Sequence, residues 1–134
     1  MHERFLLDTD AASASLRFDR ALIARLATAS EIVLPSIVLG ELYSGAFDSG
    51  ARYRHRGIAT VELHDAMAAS NAVIACDSNT ARVYGRIVAD LGSRGQRIPE
   101  HDMRIAAPAI QHTFTLLTRD AHFDRIAGRT IARR

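Results

Sequence analysis

An α/β fold with a parallel sheet is what this chain predicts, on two observations. Short apolar runs end at acidic residues or proline, and between them lie longer stretches whose apolar residues recur at helical spacing. The chain has 134 residues, 48% apolar and 24% charged, enough to bury a core without disulfide or metal staples. Residues 1–134 are expected to form a single domain.

Taken in order, Phe5-Leu6-Leu7 is a first strand ending at Asp8. Leu22, Ile23 and Leu26 share one face of a helix expected over Asp19 to Ala29. Glu31 to Leu34 is a second strand closed by Pro35, and Ser36 suits the N-cap of the helix that carries Glu41. Residues 51–69 are expected to be helical and to form a hairpin with the preceding helix, broken near Ser49-Gly50. A third strand at Ala72 to Ala75 makes Cys76 a buried strand residue. Asp77 or Ser78 caps the next helix, where Tyr84, Ile87, Val88 and Leu91 fall on one face and Gly92 supplies the stop. Gly92 to Arg97 is the one flexible, basic loop. A further helix begins near Pro99-Glu100, Phe114 to Thr118 is a strand leading to Asp120, and a last short strand lies near Thr130-Ile131.

Composition narrows the chemistry. The single cysteine excludes an intramolecular disulfide and any cysteine-rich zinc site. No apolar run approaches the roughly 18–20 residues of a membrane span, so no membrane association and a soluble, cytoplasmic protein are expected. All 17 basic residues are arginine, which rules out any mechanism that needs lysine. Arginine forks match phosphate and carboxylate, so a polyanionic partner is compatible with the net charge of +2. Base composition of the genome explains the same bias equally well.

Asp8, Glu41, Asp102 and Asp120 each stand where an apolar run ends or near a helix start. Strand carboxyl ends share one edge of a parallel sheet, and helices that follow those strands start at that edge. Asp8 and Asp120 follow strands, Asp102 lies in a first helical turn, and Glu41 sits about a turn and a half into its helix beside Ser44, Gly45 and Asp48. Taken singly, each acid is more simply a capping or surface carboxylate. Four repelling carboxylates gathered at one edge are best explained by a divalent cation, and an all-oxygen set suits Mg²⁺ or Mn²⁺. Such a centre supports phosphodiester hydrolysis.

The fragments around these acids carry a family resemblance. Leu6-Leu7-Asp8-Thr9-Asp10, the run from Leu34 to Ala46, Tyr84-Gly85-Arg86-Ile87, the run from Arg97 to Ala107 and the run from Leu116 to Phe123 together resemble, in order and spacing, the PIN-domain ribonucleases and specifically the VapC toxins of type II toxin–antitoxin systems. The resemblance spans Arg4 to Gly128. It implies a PIN-like three-layer α/β/α sandwich with a central, mostly parallel sheet of about four to five strands. It also implies a metal-dependent endoribonuclease, an RNA substrate, a homodimer or higher toxin–antitoxin assembly, and a cognate VapB-type antitoxin that blocks the site.

By position, the resemblance makes Asp8, Glu41 and Asp102 the core metal ligands, completed by Asp120, where relatives can carry asparagine. Thr9 and Thr118 match hydroxyl positions that orient the acids or water, and Glu100 ranks with Asp10 behind the core set. Three residues depart from the family pattern. Asp10 replaces the usual asparagine and is either an added ligand or a capping carboxylate. Ala11-Ala12 replaces bulkier residues and predicts looser packing after the first strand. Pro108 falls inside a helix, removes the amide that would bond Arg104, and predicts a kink.

Among the basic residues, Arg94, Arg97 and Arg119 are candidates for RNA or antitoxin contact, and Arg86 and Arg119 for pairing with the acids. Arg52, Arg54, His55 and Arg56 around Tyr53 form either an RNA-contacting or a solvated helix face. His101 and His122 adjoin acidic positions without HxH or HxxxH spacing, and His101, beside Asp102, is either a substrate contact or, more simply, solvent-exposed. Three other functions compete with the toxin reading. A haloacid-dehalogenase-like phosphatase fits Asp8-Thr9-Asp10 but lacks its lysine and carries Ala12 out of pattern. The others are a non-toxin PIN nuclease in RNA processing and a non-catalytic PIN binding module.

Overall fold

The computed structural model describes residues 3–48, 50, 54, 57–58, 60–62 and 73–134. In chain order these form β1 (Arg4–Leu7), α1 (Thr9–Leu16), α2 (Arg20–Leu26), β2 (Glu31–Pro35), α3 (Ser36–Asp48), β3 (Val73–Ile74), α4 (Ser78–Ser93), α5 (Glu100–Gln111), β4 (Thr115–Thr118), a 3-10 helix (Ala121–Arg125) and β5 (Ile131–Arg133). The five strands make one sheet in the order β3-β2-β1-β4-β5, and every pairing is parallel.

β1 is the central strand, and both faces of the sheet are covered. Phe5, Leu6 and Leu7 alternate in direction, yet all three are buried, as are Leu116 and Leu117 of the neighbouring β4. A strand buried on both faces reads as a continuous apolar run, which is how these strands stand in the sequence. The result is the α/β/α sandwich expected, with a wholly parallel sheet of five strands.

Side-chain caps start α1, α2 and α4. Asp8 accepts from Ala11 N at the start of α1, and Asp19 from Leu22 N at the start of α2. Asp77 and Thr80 form a reciprocal capping box at α4, and Gln111 Nε2 reaches Asp77 at 3.0 Å, tying the end of α5 to the start of α4. α3 begins directly at Ser36 after the strand-closing Pro35. α5 continues past Pro108, which is buried, to Gln111. Thr113, at φ 57, then turns the chain toward β4.

Five expectations are corrected. α1 occupies residues assigned to no element, because Thr9–Leu16 is built of alanine, serine and threonine with no apolar stripe for periodicity to detect. Ala11, Ala12 and Ala14 are fully enclosed. Small side chains here bring α1 close to β1, β4 and α3 and do not loosen the packing.

Cys76 is exposed, because β3 stops at Ile74. The left-handed residue that ends the turn after α4 is Gly95, at φ 65, rather than Gly92. The loop expected to be flexible is pinned, with Gln96 N on Leu91 O, Arg94 Nη2 on Arg125 O and Arg125 Nη1 on Arg97 O. Of the helix expected over 51–69, the described residues 54, 57–58 and 60–62 are helical. The break near Ser49 and the basic group Arg52, Tyr53, His55 and Arg56 lie outside the described residues.

The enclosed alanines of α1 yield a test. Ala12→Leu has no space to fill and is expected to destabilise the fold by about 1–3 kcal/mol through overpacking. Urea unfolding at constant m-value checks it, and an unchanged midpoint would show that α1 can move off the sheet freely.

Candidate metal centre

The centre is built where β1 and β4 end side by side. Their register sets Leu7 beside Leu117, so Asp8, just past the end of β1, stands beside Thr118, the last residue of β4. Asp8 is 5% exposed and Thr118 is fully buried. The Thr118 hydroxyl donates to Asp8 Oδ2 at 2.5 Å, while Ala11 N donates to Oδ1 at 2.8 Å. Thr118 Oγ1 also accepts from Asp120 N at 2.9 Å. One hydroxyl thus fixes both the first acid and the backbone of the last.

Asp120 caps the 3-10 helix by accepting from His122 N at 2.8 Å. That turn folds the His122 ring back over the acids. His122 Nδ1 lies 3.0 Å from Asp102 Oδ2 and 3.2 Å from Asp120 Oδ1. Facing two carboxylates, Nδ1 carries the ring proton. Asp102 arrives from the first turn of α5, where its amide bonds Pro99 O. Asp102, Asp120 and His122 can each offer one ligand atom, all within 4.8 Å of one another.

Asp8, Thr9, Asp10, His101, Asp102, Arg119 and Asp120 line one open cleft of about 340 Å³. Three of the four predicted acids therefore share it. Glu41 stands at its margin on the exposed side of α3, with Oε1 3.7 Å from His101 Nδ1. His101 Nε2 in turn meets Thr9 Oγ1 at 3.1 Å, so Thr9 and His101 link Glu41 to the cleft.

The remaining candidates are placed differently. Asp10 lies in the first turn of α1 and pairs with Arg134 Nη1 at 2.6 Å. Glu100 accepts from Tyr84 and from Arg104 and does not line the cleft. Arg94 is bound to Asp90. Arg97 lies with its guanidinium against Gly92, and Arg119 alone of the three arginines lines the cleft.

His101 is not the exposed residue expected but half-buried, and both histidines face acids. The signal for His122 was its position two residues after Asp120. In a 3-10 turn that spacing brings ring and carboxylate together, whereas metal-site spacings are read on α-helices and strands.

The PIN domain model matches residues 5–129. The chain belongs to the PIN domain family. PIN domains are generally nucleases that use divalent metal ions, and family membership removes the phosphatase alternative. No curated protein sequence matches significantly. Among solved structures, this PIN domain is similar to a chain of DNA-bound VapBC from Salmonella typhimurium, with TM-score 0.86, 28% identity and 98% of both chains covered. FitAcB from Neisseria gonorrhoeae gives TM-score 0.76 and 26% identity over 95% of both chains. VapBC-5 from Mycobacterium tuberculosis, a member of the VapBC family of toxin–antitoxin systems, shares the fold at TM-score 0.69 and 22% identity, covering 97% of this chain and 96% of that one.

The electrostatics of this PIN centre suit a cation. Burial pushes the Asp8 carboxyl above its ordinary value, against the downward pull of the Thr118 and Ala11 hydrogen bonds, and Asp10 adds to the rise. Burial likewise raises Asp102, with His122 pulling it down and Asp120 pushing it up. These are carboxylates held charged at a cost. Each binds its proton more tightly folded than unfolded, so its contribution to stability is full below 3.8 and is lost as pH rises through its raised value. Metal-free Asp8→Asn and Asp102→Asn are therefore expected to melt above wild type near neutral pH, the gain vanishing in acid. Melting curves across pH in chelator check this, and equal neutral-pH midpoints would contradict it.

Proposed function

We propose that this PIN domain, read as one unit over residues 1–134, is a VapC-type toxin: a Mg²⁺- or Mn²⁺-dependent endoribonuclease held in check by a VapB-type antitoxin. The observation that carries the nuclease is the convergence of Asp8, Asp102 and Asp120 in one cleft. Likeness to VapBC of Salmonella typhimurium across nearly the whole of both chains supports the toxin and its antitoxin. A cytoplasmic homodimer, or a larger toxin–antitoxin assembly, accompanies that reading. Among the described residues no helix is long and apolar enough to cross a membrane.

The residues fit a divalent ion. Asp102 and Asp120 offer oxygen beside the imidazole of His122, and the raised carboxyls of Asp8 and Asp102 lack a basic partner that would neutralise them fully. Asp8, Asp102 and Asp120 would hold it, with Glu41 from the margin. Bound there, the ion supplies an activated water and neutralises charge on a phosphodiester.

The chain's own residues do the positioning. Thr118 orients Asp8 and holds the turn that presents Asp120. His122 keeps Asp102 and Asp120 at a fixed separation, and His101 holds Glu41 toward Thr9. Arg119, at the rim, faces the phosphate oxygens of an entering strand.

RNA cleavage by the purified protein is expected to vanish on chelation and return with Mn²⁺ or Mg²⁺. Asp8→Asn, Glu41→Gln and Asp102→Asn are each expected to lower it by more than about a hundredfold while folding is retained. Cleavage that survives exhaustive chelation would rule out the metal mechanism. For the toxin, induction of wild type but not Asp8→Asn should arrest growth, with rescue by a co-expressed antitoxin. Unaffected growth beside intact cleavage would favour an RNA-processing nuclease.

A further inference from the structure

Of the arginines singled out by sequence for phosphate contact, Arg94 is tied to Asp90 and to the Arg125 carbonyl, whereas Arg119 lines the cleft. A different set gathers beside the acidic cleft. Arg25, Arg119, Arg133 and Arg134 line one pocket of about 140 Å³, with Asp19 the single acid on its wall. The volume is well below the roughly 300 Å³ at which pockets begin to admit drug-sized ligands, so it suits a small group rather than a base or nucleoside.

Two further facts point to an anion. Among the described residues, the only buried side-chain nitrogen or oxygen atoms without a hydrogen-bond partner are Arg25 Nε and Arg134 Nε, and both residues line this pocket. A buried donor left unpaired is costly, and native folds rarely keep one without a use. The Arg134 side chain is 4% exposed.

Local carboxylates engage these arginines without satisfying all of their donors. Arg134 pairs with Asp10, Arg133 with Asp124, and Glu3 approaches Arg25 Nη2 at 3.7 Å. Each takes part of one fork, and Asp19 on the pocket wall, held below its ordinary value first by the Leu22 amide, also feels the charges of Arg134 and Arg119.

The pocket is also continuous with the metal centre. Arg119 lines both, and Asp10, which lines the cleft, holds Arg134 in the pocket. We infer that this arginine pocket is a phosphate subsite, binding a backbone phosphate of the RNA strand that lies beside the one entering the acidic cleft. The inference rests on the nuclease reading. It divides the work between an acidic cleft that takes the reacting phosphate with metal and a basic pocket that holds the neighbouring phosphate without one. Guanidinium groups are suited to this, since they present planar pairs of donors and stay charged at any physiological pH.

The test uses full-length protein in chelator, so that RNA is bound and not cut. Arg25→Gln/Arg133→Gln removes two cations that do not line the cleft and whose side chains are 40% and 46% exposed. Anisotropy of a labelled single-stranded RNA is read over a range of salt. The double variant is expected to bind about tenfold more weakly, with log Kd against log salt shallower by about 0.7, one phosphate contact on a single strand. Inorganic phosphate should compete with RNA on wild type more strongly than on the variant.

Melting curves confirm that the variant is folded. Unchanged affinity and slope in the folded variant overturn the subsite, as does normal RNA binding with loss confined to an acidic protein partner. Cleavage after Mn²⁺ is added is scored separately on wild type. Its absence would sink the nuclease reading, while the salt slope still decides whether the pocket holds phosphate.

Discussion

The hydrogen bond from Thr118 to Asp8 is the constraint on which the site depends. It joins residues 110 positions apart and exists because β1 and β4 are parallel neighbours that end in register. The bond lies in a buried setting, where a carboxylate without partners would protonate or turn away. With a hydroxyl on one oxygen and a helix amide on the other, Asp8 has one orientation. The same hydroxyl sets the backbone of Asp120, whose own cap then places His122. Helix start, strand end and 3-10 turn are linked through a single threonine oxygen.

Around that clamp the four acids differ in kind. Asp8 is buried and Asp102 half-buried, both with raised carboxyls, Asp120 is half-buried, and Glu41 is exposed and reached through His101. Two histidines stand between the carboxylates and moderate their repulsion, so the group is less purely acidic than its sequence pattern suggests. On the far side of Asp10 the sign of the charge reverses to arginine. A boundary between opposite potentials of this kind orients a charged chain as well as attracting it.

Much of this was legible because several local rules agreed. Phe5-Leu6-Leu7 and Leu116-Leu117 are continuous apolar runs, as strands buried on two faces require, and Asp8, Asp19 and Asp77 are capping residues in capping positions. α1 was not legible, since Thr9–Leu16 buries alanines, and alanine packs by fitting rather than by standing out. Cys76 misled because an apolar run continued past the two residues that pair. His101 and His122 were visible but only partly readable: Asp120 lies two residues before His122, but the contacts of His101 with Thr9 and of His122 with Asp102 span 92 and 20 residues, which no local pattern encodes.

The strand order has a temporal consequence. β1 emerges first during synthesis, but its partner β4 lies beyond position 114, and Thr118, Asp120 and His122 follow it. Until then Asp8 lacks the hydroxyl that orients it, and the central strand has an open edge. Sheets closed by such distant pairings form late, after the long loop between them has been ordered. A growing chain therefore carries no complete centre until β4 and the turn after it have been made and have paired with β1.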